Sequence, residues 1–339
     1  MKVVLVGCGA ISGAWLEPTK NIPELELVGF VDVIEANAKK RQQEFAPNAS
    51  VGTDLGQVLA QTKPDVVFNA TIPAAHFEVT MKALEHGCHV LCEKPLAESL
   101  EEARQMIDTA QKANRLLVVM QNWRYTHNIR RLKRFLETGV IGNITTMNAD
   151  FYVGAHFGGF RDVMPHILLK DMAIHTFDAS RFLTGQNPKN VYAVEWNPEG
   201  SWYSRDASAA AIFEMTGNVI FNYRGSWCSE GHRTPWESEW RILGTKGSIR
   251  WDGNTKIICE IVGDDPEEQT FFREQHEVDV PVYDDINERP EGHAAVIHSF
   301  VDALKNNSQP ETVCTDNIKS LAMVYGAVES SEKGEKITI

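Results

Sequence analysis

Asp171, His175 and Asp178 lie at i, i+4 and i+7 of a stretch whose pattern predicts a helix over 166–183, so their side chains are expected on one helix face. Much earlier, Glu93-Lys94-Pro95 follows an apolar run, Cys88 to Cys92, that reads as a buried strand, and Pro95 helps to fix the turn holding Lys94. An imidazole titrates near neutral pH and can take up a proton. An ammonium can hydrogen-bond an oxygen on which negative charge develops. A turn lysine and an acid/base helix face together suggest proton transfer at a shared site. Singly, each group has a plainer reading. An i,i+4 Asp–His pair on a helix surface contributes only about 0.3–0.5 kcal/mol, and Asp178 is expected to hold His175 or tie its helix to a neighbour.

The elements that must position these groups follow a rhythm. Residues 2–7, 25–32, 65–70, 88–92 and 116–121 read as strands. Between them, segments after Ser12, over 36–45, after Asp54, over 74–86 and over 99–114 read as helices, with Gly87 a stop signal and Ser99-Leu100-Glu101-Glu102 at capping-box spacing. Alternation of this kind implies a parallel sheet covered on both faces. The rhythm then changes. Thr126 to Thr138 is amphipathic, Ile144 to Val153 reads as a strand, and 154–165 as a loop containing glycine and aromatic residues. From Asn190 to about Val280, strand-like runs with period-two alternation, such as Val219, Phe221 and Tyr223, suggest a mostly antiparallel sheet. Helices near 293–305 and 316–332 close the chain, and Asp264-Asp265-Pro266-Glu267-Glu268 reads as a charged turn. Two domains are expected, 1–122 and 123–339.

Gly7-Cys8-Gly9-Ala10-Ile11-Ser12-Gly13 follows the first strand and opens a helix. Gly7 permits a tight turn, Gly9 lets the backbone approach a pyrophosphate, and the helix N-terminus offers N–H groups to the anion. Ser12 stands at the usual third glycine. Asp32 ends the next strand, where a carboxylate can accept from ribose hydroxyls and repel a 2′-phosphate. NAD is therefore the expected cofactor, with NADP possible because Lys39, Lys40 and Arg41 lie near.

The formal net charge of −13 over 339 residues opposes nonspecific nucleic-acid binding. The basic clusters Lys39-Lys40-Arg41 and Arg130-Arg131 with Lys133-Arg134 read as solvated helix faces. No apolar stretch is long enough to span a bilayer, and the first residues are too short an apolar run for a signal peptide. The scattered cysteines at 8, 88, 92, 228, 259 and 314 give no convergent metal set, so no metal is expected, and a cytoplasmic protein with reduced thiols is the simplest expectation.

These residues resemble the Gfo/Idh/MocA family of nicotinamide-dependent oxidoreductases over nearly the whole chain. The resemblance is carried by the N-terminal glycine segment, Thr71-Ile72-Pro73 with His76, Glu93-Lys94-Pro95, Asn122-Trp123-Arg124-Tyr125 and the Asp171/His175/Asp178 helix. It implies an α/β fold, an N-terminal Rossmann domain followed by an α+β domain with an open, predominantly antiparallel sheet, and homodimers or homotetramers built through that sheet. It further implies that Lys94 is the active-site lysine and that Asp171 and His175 bind substrate and transfer the proton. Gly7, Gly9, Ala10, Ile11, Asp32, Thr71, Pro73, His76, Glu93, Lys94 and Arg124 are implied to line the cofactor. The sequence departs from many members at Met164-Pro165-His166-Ile167, where a glycine cluster is usual, and at Ala173.

The expected function is oxidation of a secondary alcohol of a sugar, sugar derivative or cyclic polyol by hydride transfer. His175 is the expected base, Lys94 the stabiliser of the reacting oxygen and Asp171 the orienting group. Two alternatives stand beside it: a redox-assisted glycosidase, and a non-catalytic nucleotide-responsive regulator. His156, Arg161, His166 and Lys170 are further substrate-contact candidates, and most tryptophans are expected to pack the sheet or a subunit interface.

Overall fold

The computed structural model of the protein describes residues 1–263 and 271–339; the charged turn expected at 264–268 lies outside the described residues. The chain begins with β1 (Lys2–Val6), α1 (Ser12–Thr19), β2 (Glu26–Val31), α2 (Glu35–Phe45), β3 (Ser50–Gly52), α3 (Leu55–Thr62), β4 (Val66–Asn69), α4 (Pro73–Glu85), β5 (His89–Cys92), α5 (Leu100–Lys112) and β6 (Leu117–Val119). The six strands form one parallel sheet in the order β3-β2-β1-β4-β5-β6. Val3, Val4, Leu5, Val66, Val67, Phe68, Val90 and Leu91 are completely buried, which is why these strands read as continuous apolar runs. The reversal of strand order between β1 and β4 opens a crevice at the C-terminal strand ends, where ligands bind in such sheets. Local signals set the helix boundaries. Asp54 accepts from the Gln57 amide, Ser99 from the Glu102 amide, and Gly87 turns the chain at φ +77°.

Beyond a 3-10 turn at Asn122–Tyr125 come α6 (His127–Leu136), β7 (Ile144–Tyr152), α7 (Phe160–Val163), a π-helical segment Leu168–Ala173 and α8 (Ile174–Thr184). Strands β8 (Pro188–Trp196), β9 (Ser208–Met215), β10 (Ile220–Ser226), β11 (Glu239–Gly244), β12 (Gly247–Trp251), β13 (Ile257–Val262) and β14 (Gln275–Val278) follow. Helices α9 (Asp284–Asn287), α10 (Gly292–Asn306) and α11 (Cys314–Lys333) and strand β15 (Ile337–Thr338) end the chain. The second sheet runs β14-β13-β12-β11-β7-β10-β9-β8-β15 and is antiparallel except where β10 pairs with β7. On one face Phe213, Phe221, Tyr223, Ile242 and Ile249 are buried, and Phe177 of α8 packs edge-on against Phe213, Phe221 and Tyr223.

The chain forms two compact units. One comprises Met1–Asn122 with Pro290–Leu321, the other Trp123–Arg289 with Ala322–Ile339. The sequence reading ran the second domain uninterrupted to the C-terminus. The return of Pro290–Leu321 to the first unit depends on long-range pairing: the Val119 amide donates to the Thr312 carbonyl, and Val118 bridges Val313.

The basic clusters are solvated only in part: Lys39, Lys40 and Arg134 are exposed, whereas Arg41 and Arg131 are engaged. Arg41 donates to the Ser12 hydroxyl at 2.8 Å and the Gly9 carbonyl at 3.2 Å, so it supports the glycine turn. Arg131 donates to the carbonyls of Val280 and Pro281, and Arg134 pairs with Asp285 at 2.6 Å. These side chains hold down α9 and the segment before it, a task that local sequence pattern does not display.

Candidate active site

In the first unit, β1, β2, β4 and β5 all end at one edge of the parallel sheet. Gly7 follows β1 at φ +88°, and a Cβ there would lie 2.5 Å from the Ala70 carbonyl oxygen, so only glycine fits. A Cβ at Gly9 would meet nothing within 4 Å, which leaves its backbone open to approach. Ser12, in place of the third glycine, is buried and donates to the Gly9 carbonyl at 2.6 Å, so its hydroxyl closes the turn from within. Asp32 ends β2, where its two oxygens accept from the amides of Cys8 and Ile34, each at 2.8 Å. In the turns after β1, β2 and β4, Ile11, Val33, Ile34 and Ile72 expose apolar side chains. An anion-ready helix start, a fixed carboxylate and exposed apolar walls fit the pyrophosphate, ribose and base of a dinucleotide.

At the neighbouring strand ends lie the Thr71 and Lys94 turns. Thr71 donates its hydroxyl to Asn69 Oδ1 at 2.6 Å, and Pro73 opens α4. Lys94, half-buried, directly follows β5 and is joined to Pro95 by a cis peptide. Glu93 is buried; its carboxylate accepts from Trp15 Nε1 at 3.1 Å and the Lys94 amide at 2.8 Å, with His293 Nε2 at 3.5 Å. Burial opposes its ionisation, yet His293, Lys94 and Trp15 together hold the carboxyl below the usual range.

His76 lies wholly inside the first unit. Its Nδ1 is 2.7 Å from the Pro95 carbonyl and its Nε2 is 3.1 Å from the Thr71 carbonyl. Burial pushes its pKa below the ordinary 6.5, favouring the neutral ring. A neutral imidazole has one N–H, so the ring donates to one of these two carbonyls and merely faces the other. His76 therefore fastens the Thr71 turn to the Lys94-Pro95 turn from behind.

A polar depression of about 820 Å³ is also present, beside Asp65, His89 and Arg115. It lies at the opposite, N-terminal strand ends, away from the glycine turn.

In the second unit the expected continuous α-helix is interrupted. Asp171 sits in the π-helical segment Leu168–Ala173, and His175 and Asp178 in α8. Within the π turn Leu168, Leu169, Met172 and Ala173 are buried. The three acid/base residues have distinct partners. Asp171 accepts from Arg161 Nε at 2.9 Å and Nη2 at 3.4 Å. The buried His175 ring stacks on Trp123, with centroids 4.5 Å apart and planes at 19°. Asp178 is completely buried and takes both a Nε and a Nη2 contact from Arg124 at 2.6 Å. Arg124, expected along the cofactor path, is thus placed as the charge partner of Asp178.

The other substrate-contact candidates separate. His156 stacks on Trp202 at 3.7 Å between centroids and contacts Glu230 at 2.9 Å. His166 is drawn to Glu195 at 2.7 Å, with Glu332 at 3.4 Å and Asp206 at 3.9 Å. Lys170 lies over the Tyr325 ring at 5.6 Å. Trp227, Trp240 and Trp251 are core residues, while Trp196 and Trp236 are half-exposed. His293 carries no local sequence signal; Trp123 and Arg161 stand in segments that point to the pocket, but their pairing with His175 and Asp171 is visible only in the structure. All six cysteines are free, and burial pushes the Cys8 and Cys314 thiols up to about 12, so neither is a ready nucleophile at neutral pH. Among the described residues no group of three His, Cys, Asp or Glu side chains is placed to hold a metal ion, and no helix is long and apolar enough to cross a membrane.

The chain is similar to known proteins in sequence and fold. Residues 1–121 match the family described as "Oxidoreductase family, NAD-binding Rossmann fold", and residues 129–250 match the "GFO/IDH/MocA C-terminal domain". The D-glucoside 3-dehydrogenase of Escherichia coli K12 is 34% identical over 193 residues, 55% of this chain and 54% of that protein. The myo-inositol 2-dehydrogenase of Thermotoga maritima is 22% identical over 100% of this chain and 98% of its own. A solved oxidoreductase from Agrobacterium radiobacter, in complex with NAD+, L-tartaric acid and magnesium, has a TM-score of 0.85 at 23% identity, covering 100% of this chain and 98% of the other. That last likeness is one of fold.

Proposed function

The chain belongs to the Gfo/Idh/MocA family of NAD(P)-dependent oxidoreductases, and on that premise we propose that it oxidises a secondary alcohol of a sugar, sugar derivative or cyclic polyol. NAD, when bound, supplies the hydride acceptor. The chain's own groups divide the remaining work. His175, its ring plane set by Trp123, takes the hydroxyl proton. Lys94 hydrogen-bonds the reacting oxygen and stabilises the charge that develops there. Asp171, oriented by Arg161, positions the substrate. Gly7, Gly9, Ala10, Ile11, Asp32, Thr71 and Pro73 line the dinucleotide. Glu93 and His76 hold the Lys94 turn, and Arg124 acts through Asp178.

The anchored Lys94 turn carries this reading. A buried carboxylate and a buried imidazole both serve one short turn, on the same sheet edge as a glycine turn that admits no side chain. Polyol-oxidising relatives, a glucoside 3-dehydrogenase and an inositol 2-dehydrogenase, support the substrate class. Near-ultraviolet absorbance of NADH, with purified protein, NAD or NADP and pooled sugars, sugar acids and inositols, tests it. A signal lost in Lys94→Ala is expected. An equal signal from the variant would remove Lys94 from the mechanism.

We propose further that the protein is a homodimer or homotetramer in the cytoplasm. Tyr192, Val194, Trp196 and Ile212 expose apolar surface on β8 and β9, with Tyr192 directly opposite Ile212. Free cysteines suit a reducing compartment. Light scattering should show an oligomer that Ile212→Glu weakens; a monomeric wild type would count against that interface.

A further inference from the structure

His293 has no task in the proposed oxidation, yet its ring touches two segments that do. It is the second residue of α10, in the returning stretch Pro290–Leu321, and is half-buried. Its Nε2 stands 3.5 Å from Glu93 Oε1, and its Nδ1 stands 3.3 Å from the Asn122 amide nitrogen. A side-chain amide nitrogen only donates, so Nδ1 accepts from it and the ring proton is on Nε2, facing the carboxylate. Glu93 directly precedes Lys94, and Asn122 directly precedes Trp123, whose ring stacks on His175. One imidazole is thus tied to the chain neighbours of Lys94 and of the ring that covers His175.

The Glu93 carboxylate shows what the imidazole adds. Oε2 takes the Lys94 amide at 2.8 Å, and Oε1 takes Trp15 Nε1 at 3.1 Å. The titratable groups that face it are Lys94 beside it, Cys92 at the end of β5, His76 of α4 and His293 of α10. Burial keeps Cys92 a thiol and His76 neutral, which leaves Lys94 and His293 to favour the carboxylate. Burial opposes the ionisation of Glu93; the hydrogen bond from His293 is the strongest influence on the other side, ahead of Lys94 and Trp15. Without that bond the carboxyl takes up a proton at higher pH, and a neutral carboxyl is a weaker acceptor for the Lys94 amide.

We propose that His293 is a positioning residue: it holds the Glu93 carboxylate on the Lys94 amide and holds the Asn122 side chain, and so fixes the turn that carries Lys94 and the segment that leads into Trp123. This rests on the reading of Lys94 as stabiliser of the reacting oxygen, through which His293 acts. A ring that merely packed the start of α10 would leave both segments unchanged when an apolar side chain replaced it.

Hydrogen exchange read by mass spectrometry over residues 88–97 and 120–127 tests the hold without any substrate. His293→Leu should speed exchange in both segments by about tenfold or more. His293→Gln keeps an N–H near the Nε2 position and loses the acceptor at Nδ1, so 88–97 should stay slow while 120–127 speeds up. In NADH formation, His293→Leu should lower kcat about ten- to a hundredfold and leave the KM for the polyol within about threefold. His293→Gln should recover most of that loss. The acid limb of the kcat profile should move to higher pH in His293→Leu, because the Glu93 carboxyl has lost the hydrogen bond that lowers it. In a Glu93→Gln background, His293→Leu should cost less than about threefold more, since the two residues act as one unit. Slow exchange in both segments of His293→Leu, or wild-type kcat with an unmoved acid limb, would overturn the proposal. Faster exchange around Lys94 in His293→Leu, with NADH formed by Lys94→Ala as by the wild type, would leave the hold standing and reject the catalytic reading of Lys94. Activity lost in Lys94→Ala, with exchange and kcat unchanged in His293→Leu, would do the reverse.

Discussion

The Lys94 turn and the Asp171/His175 segment are held in different ways. Around Lys94, a single buried carboxylate and a single buried imidazole reach backbone groups: Glu93 takes the Lys94 amide, and His76 faces the Pro95 and Thr71 carbonyls. Around His175, side chains hold side chains. Arg124 grips Asp178, Arg161 grips Asp171, and Trp123 covers the imidazole. The first arrangement fixes a backbone shape, and the second fixes charges in pairs. Loss of one partner should therefore cost fold stability most in the second unit and catalytic geometry most in the first.

The largest expected effect is Asp178→Ala. It removes the buried carboxylate that Arg124, 7% exposed, contacts at 2.6 Å and Arg181 approaches at 3.8 Å, and breaking a buried pair this way costs about 3–5 kcal/mol. Urea unfolding checks it; a loss under about 1 kcal/mol would mean that water or another carboxylate replaces Asp178. Next, Lys94→Ala should lower kcat by about a hundred- to a thousandfold, since charge stabilisation at the reacting oxygen is lost, with a smaller effect on melting temperature through the buried Glu93 carboxylate that Lys94 helps keep ionised. His76→Phe follows. It keeps an aromatic ring but leaves whichever of the Pro95 and Thr71 carbonyls the ring donates to without that donor, at about 1–3 kcal/mol. It should also lower kcat more than it raises KM, because it loosens the turn beneath Lys94. A His76→Phe protein with wild-type kcat would reduce His76 to packing. Trp123→Leu should be milder, near 1 kcal/mol in the barrier, because the stacked ring only orients His175.

The same contrast governs what was legible in the sequence. The Gly7 turn, Asp32, the Asp54 and Ser99 caps and the turn at Lys94-Pro95 are written in residues adjacent in the chain, and the parallel sheet follows from apolar runs such as Val3 to Val6. The charge partners are not written locally. Arg124 and Asp178 are separated by 54 residues, and Glu93 and His293 meet only because Pro290–Leu321 returns to the first unit. Helical periodicity located α10 but could not say which unit it joins. Nor could it show that Asp171 lies in a π turn, because helix propensity does not distinguish one extra residue per turn from none.

The smallest effect gives the sharpest contrast, because the buried His76 and the half-buried His166 should respond to pH with opposite sign. Burial holds His76 below its ordinary 6.5, so the folded first unit favours the neutral ring. Its contribution to stability is complete above 6.5 and is lost as pH falls below that value, since the unfolded chain then binds the extra proton. His166 is the reverse. Its hydrogen bond to Glu195 raises it above 6.5, against burial and Lys170, with Asp206 helping. Burial also raises the Glu195 carboxyl, so the pair keeps its proton to higher pH. The His166 contribution is complete below 6.5 and is lost as pH rises through its folded value. Urea midpoints measured between about pH 5 and pH 8, where histidines titrate, should show His76→Phe flattening the acid side of the stability profile. His166→Asn should flatten only the alkaline side. Slopes of the same sign in both variants would mean that His166 is neutral in the folded protein and that its three carboxylate neighbours do not hold its proton.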